Sequence, residues 1–223
     1  MKLTSKRLTV KFAESVALGL LPFLAAGTFD YWQAWVFLAV FNLSGWIPSI
    51  YLLRTNPDAF ERRMRGATAE TRVVQKVLIV GWLLSVPTAL LVSGFDHRLG
   101  WSHVPTATCL VGNVLVAAGL ILVTVVAIQN SYAAANVQVE GDQQIVSTGL
   151  YGIVRHPMYT GSMIMLVGIP LALGSYWGLL TVVLAGISLA LRIRDEEKLL
   201  QQELDGYSDY TQRVRYRLVP CVW

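Results

Sequence analysis

Six apolar runs, each nearly long enough to cross a membrane as a helix, dominate this chain of 223 residues. They cover residues 12–29, 32–53, 76–95, 105–129, 157–173 and 176–193. A membrane-crossing helix needs about 20 apolar residues, and in lipid its backbone polar groups must bond internally. Only 14% of the residues are charged, whereas soluble domains average about 25%. The sequence therefore predicts an all-α fold, a polytopic membrane helical bundle of about six transmembrane helices with a C-terminal helical hairpin and cytoplasmic tail.

The Lys and Arg residues predict how the bundle is oriented. Seventeen of the 18 lie in or beside the segments 1–11, 54–76, 130–156 and 194–223, and the other one is Arg98. Because Lys and Arg favour the cytoplasmic side, we expect both termini in the cytoplasm and an integral protein of a bacterial inner membrane. The net charge of +4 comes from these topology signals, so we expect membrane lipids and no nucleic acid as partners.

The charged segment 54–76 has two interpretations. Phe60 and Met64 are four residues apart, which favours a short helix lying in the membrane interface. A solvated loop that carries topology-determining charges fits the segment equally well. The chain as a whole is predicted to be a single membrane-embedded domain, 1–223, with N-terminal transmembrane helices in 1–129 and the candidate catalytic region in 130–223.

The last two apolar runs predict a hairpin that brings two polar motifs together. They are joined by the short segment "LGSYWG", and each arm is about 25 Å long at helical rise. The start of the first arm, "RHPMYTG", and the end of the second, "RIRDEEKLL", are therefore expected at the same depth, on the cytoplasmic side. Ionisable groups that face into a bundle near membrane depth are candidates for function.

The chemistry of these two motifs suggests a ligand. Pro157 suits the first position of a helix, which makes His156 the N-cap and the helix start a site for an anion. Across the hairpin, Glu196 or Glu197 suits an ammonium group or a ribose diol. S-adenosylmethionine has a carboxylate, an amine, a ribose and a positive sulfonium, and it matches this polarity. Glycines that would let the backbone approach such a ligand closely are Gly149, Gly152 and Gly161.

Each residue also has a plainer interpretation. Arg155 and Arg192 are typical interface anchors, and Glu196 with Glu197 is typical of a solvated helix end. His156 alone would simply cap a helix. Tyrosines at both ends of the hairpin fit an aromatic belt. The combination of these residues at one end of the hairpin favours a site.

Two stretches together resemble a known family. "TGLYGIVRHPMYTGSMIMLVGIPLALGS" and "RIRDEEKLLQQELDGYSDYTQRVRYRLVP" resemble the isoprenylcysteine carboxyl methyltransferase family and look like the phospholipid N-methyltransferases, over about residues 130–220. Leu150 departs from the family's usual Pro, and Gln143 and Gln144 stand where many members have a His. The tail "YTQRVRYRLVP" is also similar to the end of the sterol-type reductases.

The resemblance implies an integral-membrane methyltransferase with S-adenosylmethionine as its cofactor. Lipid-anchored or other lipophilic small molecules are the expected substrates. Isoprenylcysteine-type carboxyl O-methylation is the first expectation, and phospholipid-type N-methylation or small-thiol S-methylation is the alternative. A sterol-type reductase that uses NADPH and a non-enzymatic transporter or scaffold are the competing classes.

Specific residues are assigned to these expected roles, and no metal ligands are among them. The cofactor-binding residues are Gly149, Tyr151, Arg155, His156, Pro157, Tyr159, Glu196 and Glu197. The catalytic residues are Arg192, Arg194 and Glu196, and the substrate-binding residues are Arg192 and Arg213. Residues expected to close over the cofactor from the tail are Tyr207, Tyr210 and Arg217.

Overall fold

The computed structural model describes residues 2–57, 60, 73–130 and 145–223. These residues form seven α-helices, a 3-10 turn at Gly149–Gly152 and no strand, which confirms the all-α class. The helices are α1 Lys2–Ala26, α2 Trp32–Thr55, α3 Val73–Leu99, α4 Thr106–Gln129, α5 Pro157–Ala172, α6 Leu179–Glu203 and α7 Tyr207–Arg213. The expected interfacial helix within 54–76 and the departures at Gln143 and Gln144 fall largely or wholly outside the described residues.

Four helices are long and apolar enough to cross a membrane. Their spans are Thr9–Ala26, Trp32–Thr55, Gln75–Leu99 and Thr106–Gln129. Helix α5 is apolar but shorter, with 16 residues. Helix α6 has 25 residues and continues beyond the expected end at residue 193 through the acidic run. The chain is therefore a helical membrane protein in which α5 is shorter than the first four helices and α6 ends in a charged stretch.

A buried cluster of hydrogen bonds around Asp96 connects several elements at one end of the bundle, called here the Asp96 end. Asp96 is 1% exposed and accepts hydrogen bonds from the Ser102 backbone N–H (2.7 Å) and from Ser175 Oγ (2.5 Å). Tyr31, just before α2, donates through its hydroxyl to the Leu173 carbonyl at 2.6 Å. These contacts join the start of α2, the end of α3 and the turn between α5 and α6. Helix α5 therefore ends at this end of the bundle, as α3 does, and α6 begins here, as α2 does.

The closest packing joins α4 and α5, which run antiparallel. A Cβ at Gly112 would collide with the backbone nitrogen of Ala172. A Cβ at Gly119 would lie 2.5 Å from the Gly161 carbonyl oxygen. The expectation that Gly161 makes room for a ligand is therefore wrong, because helix α4 already occupies that space. The missing side chains let two backbones touch, as in other tightly packed membrane helices.

Candidate functional site

Helix α5 begins as the sequence predicts. Pro157 is its first residue and His156 is its N-cap. The ring of Pro157 fixes a helical φ, and its lack of an N–H costs nothing at this position. His156 is buried, and its ring stacks beside that of Tyr159 with centroids 5.7 Å apart. The start of α5 thus presents two nearly parallel rings towards α6.

Tyr159 links the start of α5 to the charged part of α6. Its hydroxyl donates to Glu196 Oε2 at 2.7 Å and accepts from Arg192 Nε at 2.9 Å. Arg192 and Glu196 are four residues apart, so they share one face of α6. Arg192 is only 2% exposed, whereas the Glu196 side chain is 19% exposed. This confirms that the two polar motifs lie at one depth.

Glu197 lies at the centre of a second, more deeply buried cluster. Its Oε1 accepts from Arg155 Nε at 2.7 Å and lies 3.3 Å from His156 Nε2. Its Oε2 accepts from Arg217 Nε at 2.8 Å. Burial raises the pKa of Glu197, but hydrogen bonds from His156 and Arg217 and the charges of His156 and Arg155 outweigh this effect, and the pKa falls from 4.5 to about 2. Glu197 is therefore a carboxylate at neutral pH.

The C-terminal tail crosses the start of α5. The backbone N–H groups of Arg155 and His156 donate to the carbonyls of Tyr216 and Arg217, both at 2.9 Å. Thr160 Oγ1 donates to the Leu218 carbonyl at 2.8 Å. Residues 214–218 therefore lie along the Arg-His-Pro segment and are held there by backbone and side-chain bonds.

Two tail tyrosines anchor α7 against the rest of the site. Tyr207 and Tyr210 are buried in one apolar cluster with Val214. The Tyr210 hydroxyl donates to the Tyr151 carbonyl at 2.7 Å. Burial raises the pKa of both tyrosines, so their hydroxyls stay protonated. The expected position of these residues next to the cluster is observed, and their role towards a cofactor stays a prediction.

The 3-10 turn supplies Gly149 and Tyr151. Gly149 has φ +59°, and a Cβ there would lie 2.7 Å from Gln129 Nε2 at the end of α4. This glycine is therefore required by the turn and by its contact with Gln129. Burial raises the pKa of Tyr151 to about 12; a hydrogen bond with Asn130 opposes this effect and the charge of Glu196 adds to it.

Two predicted arginines do not join the cluster. Arg194 is exposed, because it is two residues from Arg192 and so points about 200° away around α6. Arg213 is also exposed and lines a surface depression of about 350 Å³ with Gly152 and Arg215. Within the part of the chain that the structure describes, neither arginine forms a hydrogen bond with Tyr159 or an ion pair with Glu197. The site geometry therefore gives no support to their expected catalytic and substrate-binding roles.

Sequence reasoning missed two polar residues that shape the site. Gln75 is fully buried in α3 and donates through Nε2 to Asp195 Oδ2 at 2.6 Å, which ties α3 to α6. Thr160 holds the tail, as described above. Both are uncharged polar residues in or next to an apolar run. A polar residue in or next to an apolar run is the sequence signal that could have identified them.

A family model matches the part of the chain that carries this site. Residues 107–205 match the family model described as PEMT, phospholipid methyltransferase. The resemblance to that family is confirmed. The matched range contains α5, α6 and all of α4 but its first residue, with Arg155, Tyr159 and both glutamates, whereas the tail with Arg217 lies beyond it.

The chain is also similar to part of a curated protein with a different printed activity. The chain is 33% identical over 84 residues to the Delta(14)-sterol reductase of Mus musculus. The aligned residues make up 36% of this chain and 20% of that relative. The chain thus spans about a fifth of the length of the curated relative it matches.

Proposed function

We propose that this protein is an integral-membrane methyltransferase that uses S-adenosylmethionine to methylate a lipophilic, membrane-resident substrate. The observation that carries the proposal is the meeting of Tyr159, Arg192 and Glu196 at one end of an apolar helix bundle. This cluster falls inside the range that matches a methyltransferase family. We place these charged and hydroxyl groups near the cytoplasmic surface of the membrane, where a reactive group on a lipid and a soluble cofactor can meet.

The residues of this cluster fit the cofactor in kind. S-adenosylmethionine carries an ammonium, a sulfonium, a carboxylate and ribose hydroxyls. Glu196 is partly exposed and negative, so it suits the ammonium or the ribose diol. The start of α5 at His156 and Pro157 suits the carboxylate. Tyr151 and Tyr159 add aromatic surface and hydroxyls around these groups.

The chain's own part in the reaction is to position the reactants and to exclude water. When bound, S-adenosylmethionine supplies an electrophilic methyl group, which a nucleophile takes with its own lone pair while the sulfonium sulfur keeps the bonding pair. Holding two reactants in line contributes roughly 7–11 kcal/mol in favourable cases. Arg192 is buried and positive next to Tyr159, so it suits an anionic substrate group such as a carboxylate.

The positive charge of Arg192 beside Tyr159 favours carboxyl O-methylation of an isoprenylcysteine-type acid. A carboxylate substrate needs no general base, since it already holds a free lone pair at neutral pH. A phospholipid amine or a small thiol would instead need a proton acceptor, and a carboxylate at Glu196 is the nearest candidate. The apolar tail of any of these substrates would lie between helices and enter from the lipid.

The match to a sterol reductase makes a reductase that uses NADPH the second candidate. NADPH carries several negative phosphate charges, whereas S-adenosylmethionine carries a positive sulfonium. The partly exposed carboxylate of Glu196 therefore favours S-adenosylmethionine over NADPH. The difference in charge makes the two candidates separable by a binding measurement.

The activity test uses membranes that contain the protein and S-adenosylmethionine labelled in its methyl group. The acceptors are N-acetyl-S-farnesylcysteine and phosphatidylethanolamine, supplied separately, and the label that mild alkali releases from the extracted lipid as volatile methanol is counted against the label that stays non-volatile. We expect label on the farnesylcysteine that alkali releases as methanol, because a methyl ester is base-labile. Alkali-stable label on the amine would shift the substrate class. Consumption of NADPH with no methyl transfer would contradict the proposal.

A further inference from the structure

Glu197 joins three cationic or polar side chains from two distant parts of the chain. Arg155 and His156 precede α5, whereas Arg217 belongs to the C-terminal tail. All three reach the same carboxylate within 3.3 Å. This buried carboxylate is therefore the ionic link between the tail and the Arg-His-Pro segment, and it adds to the backbone bonds described above and to those of Arg155 Nη1 with the carbonyls of Thr211 and Val214.

Glu196 and Glu197 differ in how far their carboxylate oxygens are already occupied by protein groups and so in how much remains for a ligand. A carboxylate has about four lone-pair positions. Glu197 already directs both oxygens at protein groups, and the residue is only 5% exposed. The Glu196 side chain is 19% exposed, and its Oε2 accepts from Tyr159. Adjacent helical residues point about 100° apart, so the two carboxylates face different surroundings.

The ionic contact at Arg217 lies next to the tail's bonds to the start of α5. The carbonyl of Arg217 accepts from the His156 N–H, and the next carbonyl, that of Leu218, accepts from Thr160. If the Glu197 carboxylate were neutralised, Arg217 would lose its partner, and Arg155 would be a buried cation without its counter-charge. Leaving a buried charge uncompensated is strongly unfavourable. Both the tail and the His156 ring would then lose their fixed positions.

We infer that Glu197 is a positioning residue that docks the C-terminal tail over the start of α5 and orients His156, while Glu196 makes the direct cofactor contact. The docking rests on contacts of this chain alone. The consequence for cofactor affinity rests on the proposed function. Glu197 lies inside the range matched by the family model, whereas Arg217 lies beyond it.

The test compares Glu197→Gln, Arg217→Gln and the double variant, with Glu203→Gln as a control because Glu203 is an exposed glutamate on the same helix. Two quantities are measured on detergent-purified protein. One is the rate of tryptic cleavage after Arg213 and Arg215, followed by mass spectrometry. The other is the dissociation constant of S-adenosylhomocysteine, measured by calorimetry. Cleavage reports tail docking whether or not the cofactor binds, since a protease needs locally released backbone.

We expect each single variant to speed cleavage and to weaken binding by about tenfold. The double variant should be no worse than Glu197→Gln, because both changes break the same tie. If Glu197→Gln weakens binding with unchanged cleavage, and the double variant multiplies the two losses, Glu197 is a direct ligand and the inference is overturned.

Two further outcomes keep the test decisive. If Glu197→Gln does not fold, Arg217→Gln and Thr160→Val release the tail while the Glu197 carboxylate and its bond with Arg155 stay in place, and they should show the same faster cleavage. Unchanged cleavage in both would overturn the docking. If wild-type protein binds no S-adenosylhomocysteine, the proposed function and the cofactor half of the inference fail. Cleavage still decides the docking in that case.

Discussion

Tyr159 and Glu196 lie on different helices, 37 residues apart in sequence, and the Tyr159 hydroxyl donates to Glu196 Oε2 over 2.7 Å. The same hydroxyl accepts from Arg192 Nε at 2.9 Å. One oxygen thus holds a buried cation and a partly exposed anion at a fixed separation. We regard this bridge as the element that sets the geometry of the site.

Removing the bridging hydroxyl tests this view directly. In Tyr159→Phe, Arg192 Nε loses its acceptor and Glu196 loses a donor, while the ring and its packing stay. Leaving a buried charged donor unsatisfied costs on the order of 1–3 kcal/mol. We expect a lower melting temperature and weaker binding of S-adenosylhomocysteine, by about tenfold.

Tyr176→Phe is the matched control for this change, because the Tyr176 side chain is exposed at the Asp96 end of the bundle. It should leave both the melting temperature and the affinity unchanged. Equal effects of the two substitutions would show that the bridge has no special role.

The contact between α4 and α5 predicts a large effect from a single methyl group. Gly119→Ala would place a Cβ 2.5 Å from the Gly161 carbonyl oxygen, so the two helices must move apart. Overpacking of this kind costs typically about 1–3 kcal/mol, and we expect a lower melting temperature. Gly45→Ala is the control, since a Cβ at Gly45 would have open space for 4 Å around it and Ala favours a helix. A stable Gly119→Ala protein would contradict the packing of α4 on α5.

The charge distribution predicts that the C-terminus faces the cytoplasm and that α5 and α6 cross the membrane. Cys221 is exposed and Cys109 is buried, so Cys221 is a native labelling site. A membrane-impermeant maleimide should label Cys221 in inside-out vesicles and leave it unlabelled in right-side-out ones. With Cys221→Ser in place, Tyr176→Cys should show the reverse pattern, because Tyr176 lies in the turn at the Asp96 end. Labelling of both positions from one side would rule out a crossing by α5 and α6.

The lowered pKa of Glu197 predicts how stability depends on pH. The folded protein holds this carboxyl at a pKa of about 2, below the ordinary 4.5, so the unfolded chain binds the proton more tightly. The stabilisation is therefore complete above pH 4.5 and is lost as the pH falls through 2. A shift of this size corresponds to on the order of 3 kcal/mol.

Thermal melting in detergent across this acid range measures the effect. Wild-type protein should lose stability steeply, and Glu197→Gln should start lower and fall less. Glu203→Gln should follow the wild-type curve, since Glu203 is exposed. Parallel curves for wild type and Glu197→Gln would show that Glu197 does not gain its stability from the ionic cluster.

Much of this fold follows from the sequence because the length and the start of each helix depend mainly on residues close together in the chain. The length of each apolar run dictates a helix in lipid, and Pro157 dictates where α5 begins. The short turn between α5 and α6 brings the start of α5 close to the charged part of α6, as the sequence predicts. Each of these statements needs only helical rise and backbone chemistry.

Other features depend on contacts between distant segments, which periodicity does not encode. The sequence alone assigns Gly161 to a ligand, because its neighbour on α4, Gly119, stands far earlier in the chain. It also groups Arg194 with Arg192, although two residues along a helix turn a side chain to the far side. The hydrogen-bond cluster at Asp96 is not predictable from helix length or periodicity, since its partners lie in different loops between helices.

The most direct test of the central claim is a calorimetric titration of detergent-purified protein with S-adenosylhomocysteine and, separately, with NADPH. We predict saturable one-site binding of S-adenosylhomocysteine, weakened about tenfold by Glu196→Gln and unchanged by Glu203→Gln, and no binding of NADPH. Saturable binding of NADPH with none of S-adenosylhomocysteine would contradict the assignment of this site to methyl transfer.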